Sequence, residues 1–138
     1  MFRSGKNAMI YTAVKDIEEI RVITVLVDVI QFTNYEEVFN KVKTSINEMN
    51  CFIVLDLSKV KFMDSLSLGM LVPLLLYARR LGGDLAVMAP DPKIRELFRV
   101  LRLDQVMDTC ETREEAVEYL RKEEDGDDVD EPADQSGD

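Results

Sequence analysis

The stretch FIVLDLSKVKFMDSLSLG, Phe52 to Gly69, decides the architecture of this chain. Its apolar opening, Phe52-Ile53-Val54-Leu55, is too continuous for a strand with one wet face. It predicts a strand covered on both faces, Cys51 to Leu57. A short polar connector follows, and near Asp64, Ser65 and Ser67 an apolar helix running to Leu81 is expected to begin. Aspartate and serine are favoured helix caps because their oxygens accept the first unpaired backbone N–H groups. Hydroxyls placed there, beside a carboxylate and just after a buried strand, lie at the surface on a rigid support. Such a placement suits a site that another protein reads and modifies.

Outward from this stretch, Ile10 to Val14 predicts a first strand, residues 16–19 a turn, and Ile20 to Ile30 a second strand central in a sheet. Thr33-Asn34-Tyr35-Glu36 has the spacing of a capping box, and Val38, Val42, Ile46 and Met49 recur behind it at helical spacing. Pro73 should kink the helix that follows Asp64 or mark an irregular first turn, and Gly82-Gly83 should stop it. Leu85 to Met88 predicts another strand. Asp91-Pro92 supplies a cap with proline at the first helical position, ahead of the stripe Ile94, Leu97, Phe98 and Leu101. Gln105 to Thr109 suits a last short strand, and Thr112 to Glu115 a second capping box opening a helix to about Lys122.

Strands alternating with helices of about 10–15 residues predict an α/β fold. The expected form is a mixed β-sheet of about five strands with about four α-helices packed on it, the first two strands making an edge hairpin. A chain of 138 residues, 46% hydrophobic, suffices for one core. The organisation expected is an N-terminal extension over residues 1–9, one domain over 10–122 and an acidic tail over 123–138. That tail holds nine of the 27 acidic residues and no basic ones, so the first 122 residues carry 18 acids against 17 bases. With almost nothing apolar to bury, the tail is expected to be disordered. A nearly neutral body also offers no basic excess for neutralising phosphates, which disfavours nucleic-acid binding.

There is no histidine, which removes the commonest general base, the usual zinc ligand and every Ser-His triad. Cys51 and Cys110 match no metal or redox spacing and suit small buried hydrophobes. No metal or cofactor site is expected. Asp64 and Ser65 lack a base to activate the hydroxyl, so the chain does not look like an enzyme. The N-terminal MFRSGKNAM has no apolar core of a secretory signal. The window Leu66 to Ala78 falls short of the roughly 20 apolar residues that span a bilayer. No membrane insertion and a cytoplasmic location are the expectation.

The same residues carry a family resemblance. Asp56-Leu57-Ser58-Lys59-Val60-Lys61-Phe62-Met63-Asp64-Ser65, then Leu66-Ser67-Leu68-Gly69, resembles the motif of the STAS domain, the fold of bacterial anti-sigma factor antagonists. Ala78-Arg79-Arg80-Leu81-Gly82-Gly83, Leu101-Arg102-Leu103-Asp104 and Thr112-Arg113-Glu114-Glu115-Ala116 resemble later family segments in the right order. The likeness covers roughly Ile10 to Lys122. It implies a STAS-like fold and an antagonist that binds an anti-sigma factor that is also a serine kinase. By the same likeness, phosphorylation of the serine after the motif aspartate breaks the complex, and a serine phosphatase resets it. Carried over by position, the acceptor is Ser65, with Ser67 as rival, and the partner-binding residues are Lys61, Met63, Asp64, Ser65, Leu66 and Ser67. The chain departs from the family where Leu66 and Ser67 follow the acceptor in place of a second hydroxyl residue and glycine. Ile30 stands where the family often has an aspartate, with Asp28 two residues earlier.

Blander readings run beside these. Ser65 and Asp64 suit ordinary capping, Met63, Leu66 and Met70 suit core packing, and Lys59 and Lys61 suit solvated loop charges. The alternative function is a STAS scaffold or accessory subunit of a signalling or lipid-transport complex that is never phosphorylated.

Overall fold

The computed structural model describes residues 10–124. The expected extension over 1–9 and all but the first two residues of the expected tail lie outside the described residues. Strand β1 (Thr12–Ile17) turns back through Glu18-Glu19 into β2 (Ile20–Val25), and β3 (Val29–Ile30) follows. Then come α1 (Tyr35–Thr44), β4 (Phe52–Asp56), β5 (Phe62–Met63), α2 (Ser65–Gly69) and α3 (Leu71–Arg80). The chain continues through β6 (Asp84–Met88), α4 (Pro92–Val100), a 3-10 turn (Leu103–Gln105), β7 (Thr109–Cys110) and α5 (Arg113–Glu124).

Five strands make one mixed sheet in the order β1-β2-β4-β6-β7. β1 pairs antiparallel to β2 at the edge, as the hairpin expectation had it, and the remaining pairs are parallel. The apolar runs are continuous because both faces of the inner strands are covered. Ile23, Leu55 and Val87 stack across β2, β4 and β6 on one face, and Val22, Val54 and Ala86 on the other. The first face carries the main core, closed by α1 to α4, with Phe98 and Leu75 fully buried in it. The second is covered by Ala116, Val117 and Leu120 of α5. This is the mixed sheet with four helical units that the sequence predicts, the second unit lying in two pieces.

That division corrects the single helix expected to run from Asp64 to Leu81, and of the two roles expected for Pro73 it is the irregular first turn that is found. Proline lacks an N–H, and its ring collides with the carbonyl four residues earlier, here that of Gly69. The chain therefore breaks at Met70, and Pro73 falls in the first turn of α3, where its missing N–H has no intrahelical partner to lose. The Ile20–Ile30 strand is also corrected. It ends at Val25, and Val29-Ile30 leaves the main sheet to pair in parallel with Phe62-Met63. α1 stops at Thr44, so Met49 is 87% exposed rather than part of the apolar stripe. The last strand is Thr109–Cys110, and a 3-10 turn occupies the start of the segment assigned to it. α5 runs two residues past Lys122.

Gly82 has φ +98, and a Cβ on Gly83 would overlap the Cys51 carbonyl, which accepts the Asp84 N–H at 3.0 Å. The double-glycine stop thus serves both the turn and the close approach of two strands.

Candidate functional site

Two loops meet beyond the carboxyl end of the parallel strands, and Asp64 holds them together. Asp64 caps α2 through Oδ1, which accepts the Ser67 N–H at 2.8 Å. Its Oδ2 accepts the Phe32 N–H at 2.9 Å, from the loop between β3 and α1. Its own N–H donates to the Ile30 carbonyl at 3.2 Å, continuing the β3–β5 ladder, whose other end is tied by Lys61 N–H to the Asp28 carbonyl at 2.7 Å. The loop keeps its shape through Asn34: Oδ1 accepts from Gln31 N–H at 2.8 Å, and Nδ2 donates to the Val29 carbonyl at 2.9 Å. The cap of α1 is therefore Asn34, not the Thr33 of the expected capping box, and its side chain braces the loop instead of the helix.

The Asp64 pKa is lowered, first by the Ser67 side chain and then by the backbone N–H groups of Ser67, Phe32 and Asp64 itself, while burial, second in size to the Ser67 side chain, opposes them. The Ser67 hydroxyl does this without closing a hydrogen bond of ordinary geometry; it is buried, with no hydrogen-bond partner. Asp64 is thus a fixed anion at neutral pH.

The sequence-predicted residues divide between surface and interior. Ser65 and Lys61 are exposed, Leu66 is half-exposed, and Asp64 lies between them partly covered. Two of the expected partner contacts face inward. Met63 alternates with Phe62 along β5 and is buried in the main core. Ser67 is fully buried, because residues two apart on a helix cannot share the exposed face with Ser65. Ile30, at the position of the family's aspartate, is a core residue, and Asp28 is exposed.

Two site residues escape the sequence reading. Phe32 is 68% exposed and Phe62 50%; the Phe32 N–H is held by Asp64 and Phe62 stands two residues before it on β5, so with Leu66 they are exposed apolar residues flanking the Asp64 cap. An isolated aromatic in the polar cap segment Gln31–Asn34 was the signal available for Phe32. Among the described residues, no group of three or more histidine, cysteine, aspartate or glutamate side chains could hold a metal ion. No helix there is long and apolar enough to cross a membrane.

The model of the STAS domain family matches residues 11–116. A putative anti-sigma factor antagonist of Thermotoga maritima is 34% identical over 70 residues, which is 51% of this chain and 62% of that protein. The match thus spans under two thirds of that relative's own length. Among solved structures, the crystal structure of a putative anti-sigma factor antagonist from Thermotoga maritima is 26% identical with a TM-score of 0.68, covering 80% of this chain and 94% of that one. An anti-sigma factor antagonist from Mycobacterium paratuberculosis shares the fold at 23% identity and a TM-score of 0.69, covering 80% and 92%.

Proposed function

The chain belongs to the STAS domain family, and we propose that it is a non-enzymatic anti-sigma factor antagonist switched by phosphorylation of Ser65. Unmodified, it binds an anti-sigma factor that is also a serine kinase, and so frees a sigma factor for transcription. Phosphorylated, it lets go, and a serine phosphatase restores it.

The observation that carries this reading is one exposed hydroxyl set between a fixed carboxylate and half-exposed apolar side chains. Ser65 is open to solvent, next to Asp64, with Leu66 following. A protein that packs on Leu66, Phe62 and Phe32 removes water from the serine between them. A phosphoserine adds roughly −1.5 to −2 charge and three acceptor oxygens. Under a packed partner it would lie beside Asp64, two like charges in a drying contact, and an uncompensated buried charge costs about 3–5 kcal/mol. Since about 1.4 kcal/mol is tenfold in affinity, one phosphate suffices to break the complex. The fold itself has no reason to unravel, because the phosphate would stand outside the core.

The buried Ser67 is a poor alternative acceptor, since a kinase would have to unwind α2 to reach it. The test is recovery of the partner on the full chain, followed by incubation with ATP and mapping of the phosphate by mass spectrometry. Phosphate on Ser65 is expected. Ser65→Ala should stay bound to the kinase, and Ser65→Asp should lose at least tenfold in affinity. Recovery of an ATPase or a membrane transporter with no phosphate on Ser65 would replace this reading with the accessory-subunit one.

A further inference from the structure

Next to the switch surface, β5 and α4 leave an open groove of about 290 Å³. Lys61, Phe62, Lys93, Ile94, Leu97 and Val100 line it. Ile94 and Met63 are buried at its floor, but Phe62 is 50% exposed and Val100 61%. Two large apolar walls are therefore left wet on adjacent elements, the kind of surface that marks a contact site. Its rim is positive. Lys61 and Lys93 are exposed, and among the described residues neither ammonium has an ion pair. Glu96, the carboxylate at the groove, is paired with Arg99. Two cations over one apolar trough give this patch a local charge opposite to the protein's net charge of −10. The trough lies at the small end for organic-ligand cavities and is open along its length, which suits a few side chains of a peptide segment.

We infer that this groove receives an acidic-apolar segment of the same protein that packs on Ser65. The segment's apolar side chains lie against Phe62, Leu97 and Val100, and its carboxylates against Lys61 and Lys93. The inference rests on Ser65 facing a partner and deepens that reading. Lys61-Phe62-Met63 runs directly into Asp64-Ser65, so a single partner covers groove and serine without a gap. The two parts then divide the work: the groove gives affinity and register, and the serine gives the switch. Like-charge steering also follows, since a basic segment would meet Lys61 and Lys93 and be rejected.

The test places the photo-cross-linker p-benzoylphenylalanine in the full chain, in cells, at Leu66 in one variant and at Val100 in another. Both positions are exposed, so folding is not at stake. The expected result is the same protein joined at both sites, with the Val100 adduct mapping to a segment that mixes apolar and acidic residues. The pair Lys61→Glu and Lys93→Glu should cut the Val100 adduct about fivefold or more, while Lys61→Arg and Lys93→Arg should keep it. An adduct at Leu66 with none at Val100 removes the groove and leaves the switch reading standing. A Val100 adduct to a second copy of this chain, to residues 125–138 of the chain itself, or to a different protein from that found at Leu66 overturns the inference. No adduct at Leu66 removes the switch reading and this inference with it.

Discussion

Asp64 binds two backbone donors, one from the first turn of α2 and one from the loop between β3 and α1, one per carboxylate oxygen, and an asparagine in its place could accept with only one. Asp64→Asn is therefore expected to lower stability by about 1 kcal/mol, the usual worth of a cap, read as a drop in denaturation midpoint at pH 7. The sign of its pH dependence follows from the lowered pKa of Asp64 in the folded chain. A depressed carboxyl contributes stability that is present above its unfolded value, near 3.9, and lost as pH falls through its folded value. The gap between parent and Asp64→Asn should thus be full at pH 7 and close below about pH 4. Ser67 makes a different prediction. Its hydroxyl is buried without a partner, so Ser67→Ala should match the parent or exceed it by up to about 1 kcal/mol in urea unfolding. A loss larger than that would show the hydroxyl holding Asp64 directly. The local chemistry at Asp64 and Ser65 is legible in sequence because capping is a short-range effect. The inward turn of Ser67 and Met63 was also encoded, in helical and strand periodicity, whereas the exposure of Phe32 depends on Asp64 reaching across 32 positions.

Breaks between elements were harder to read than the elements themselves, for a physical reason: a break is decided by what the neighbouring chain offers. The run Ile20 to Ile30 is mostly apolar, interrupted by Arg21, Thr24 and Asp28, yet β2 ends at Val25 because β4 supplies partners only through Thr24, and Val29-Ile30 finds β5 instead. Pro73 announced a disturbance, but the disturbance lies at Met70, since the ring acts on the carbonyl four residues back. Asp91-Pro92 behaves as its local chemistry dictates, with Asp91 Oδ1 accepting the Lys93 N–H at 2.9 Å. The Thr112 box closes only on one side: Thr112 Oγ1 accepts the Glu115 N–H at 3.1 Å, while Glu115 Oε1 reaches Glu111 N–H instead of Thr112. The end of α4 carries a testable cost. Arg102 sits just past the cap Leu101 with φ 62, a left-handed conformation that glycine adopts freely and a side chain does not. Its side chain is exposed and holds no ion pair among the described residues. Arg102→Gly should raise stability by about 1 kcal/mol, seen as a higher melting temperature.

At the scale of the whole molecule, the sheet separates two cores of unequal size, and α5 supplies the helical cover of the smaller one. What fastens that helix is a buried carboxylate. Asp84, 4% exposed at the start of β6, accepts from Arg79 Nε of α3 at 3.0 Å, from the Leu85 N–H at 2.9 Å and from the Tyr119 hydroxyl of α5 at 3.1 Å. Three donors from three elements satisfy one anion, so helices on opposite faces of the sheet are joined through it. No local pattern in the sequence announces this, since Asp84 and Tyr119 lie 35 positions apart. Tyr119→Phe keeps the ring and removes one donor to a charged acceptor, which should cost about 1.5 kcal/mol at pH 7. Burial first, and then the carboxylates of Asp108 and Asp84, push the Tyr119 phenol well above its ordinary value. A group raised in this way contributes stability that is complete below its unfolded pKa, near 10, and declines as pH rises toward the folded value. Above pH 10 the unfolded chain releases the phenol proton while the folded chain keeps it, and the parent loses up to about 1.4 kcal/mol per pH unit from this group. The phenylalanine variant has no such proton to lose. Denaturation midpoints measured from pH 7 to 11 should therefore converge above pH 10, and parallel curves would mean that α5 is held by its apolar contacts alone.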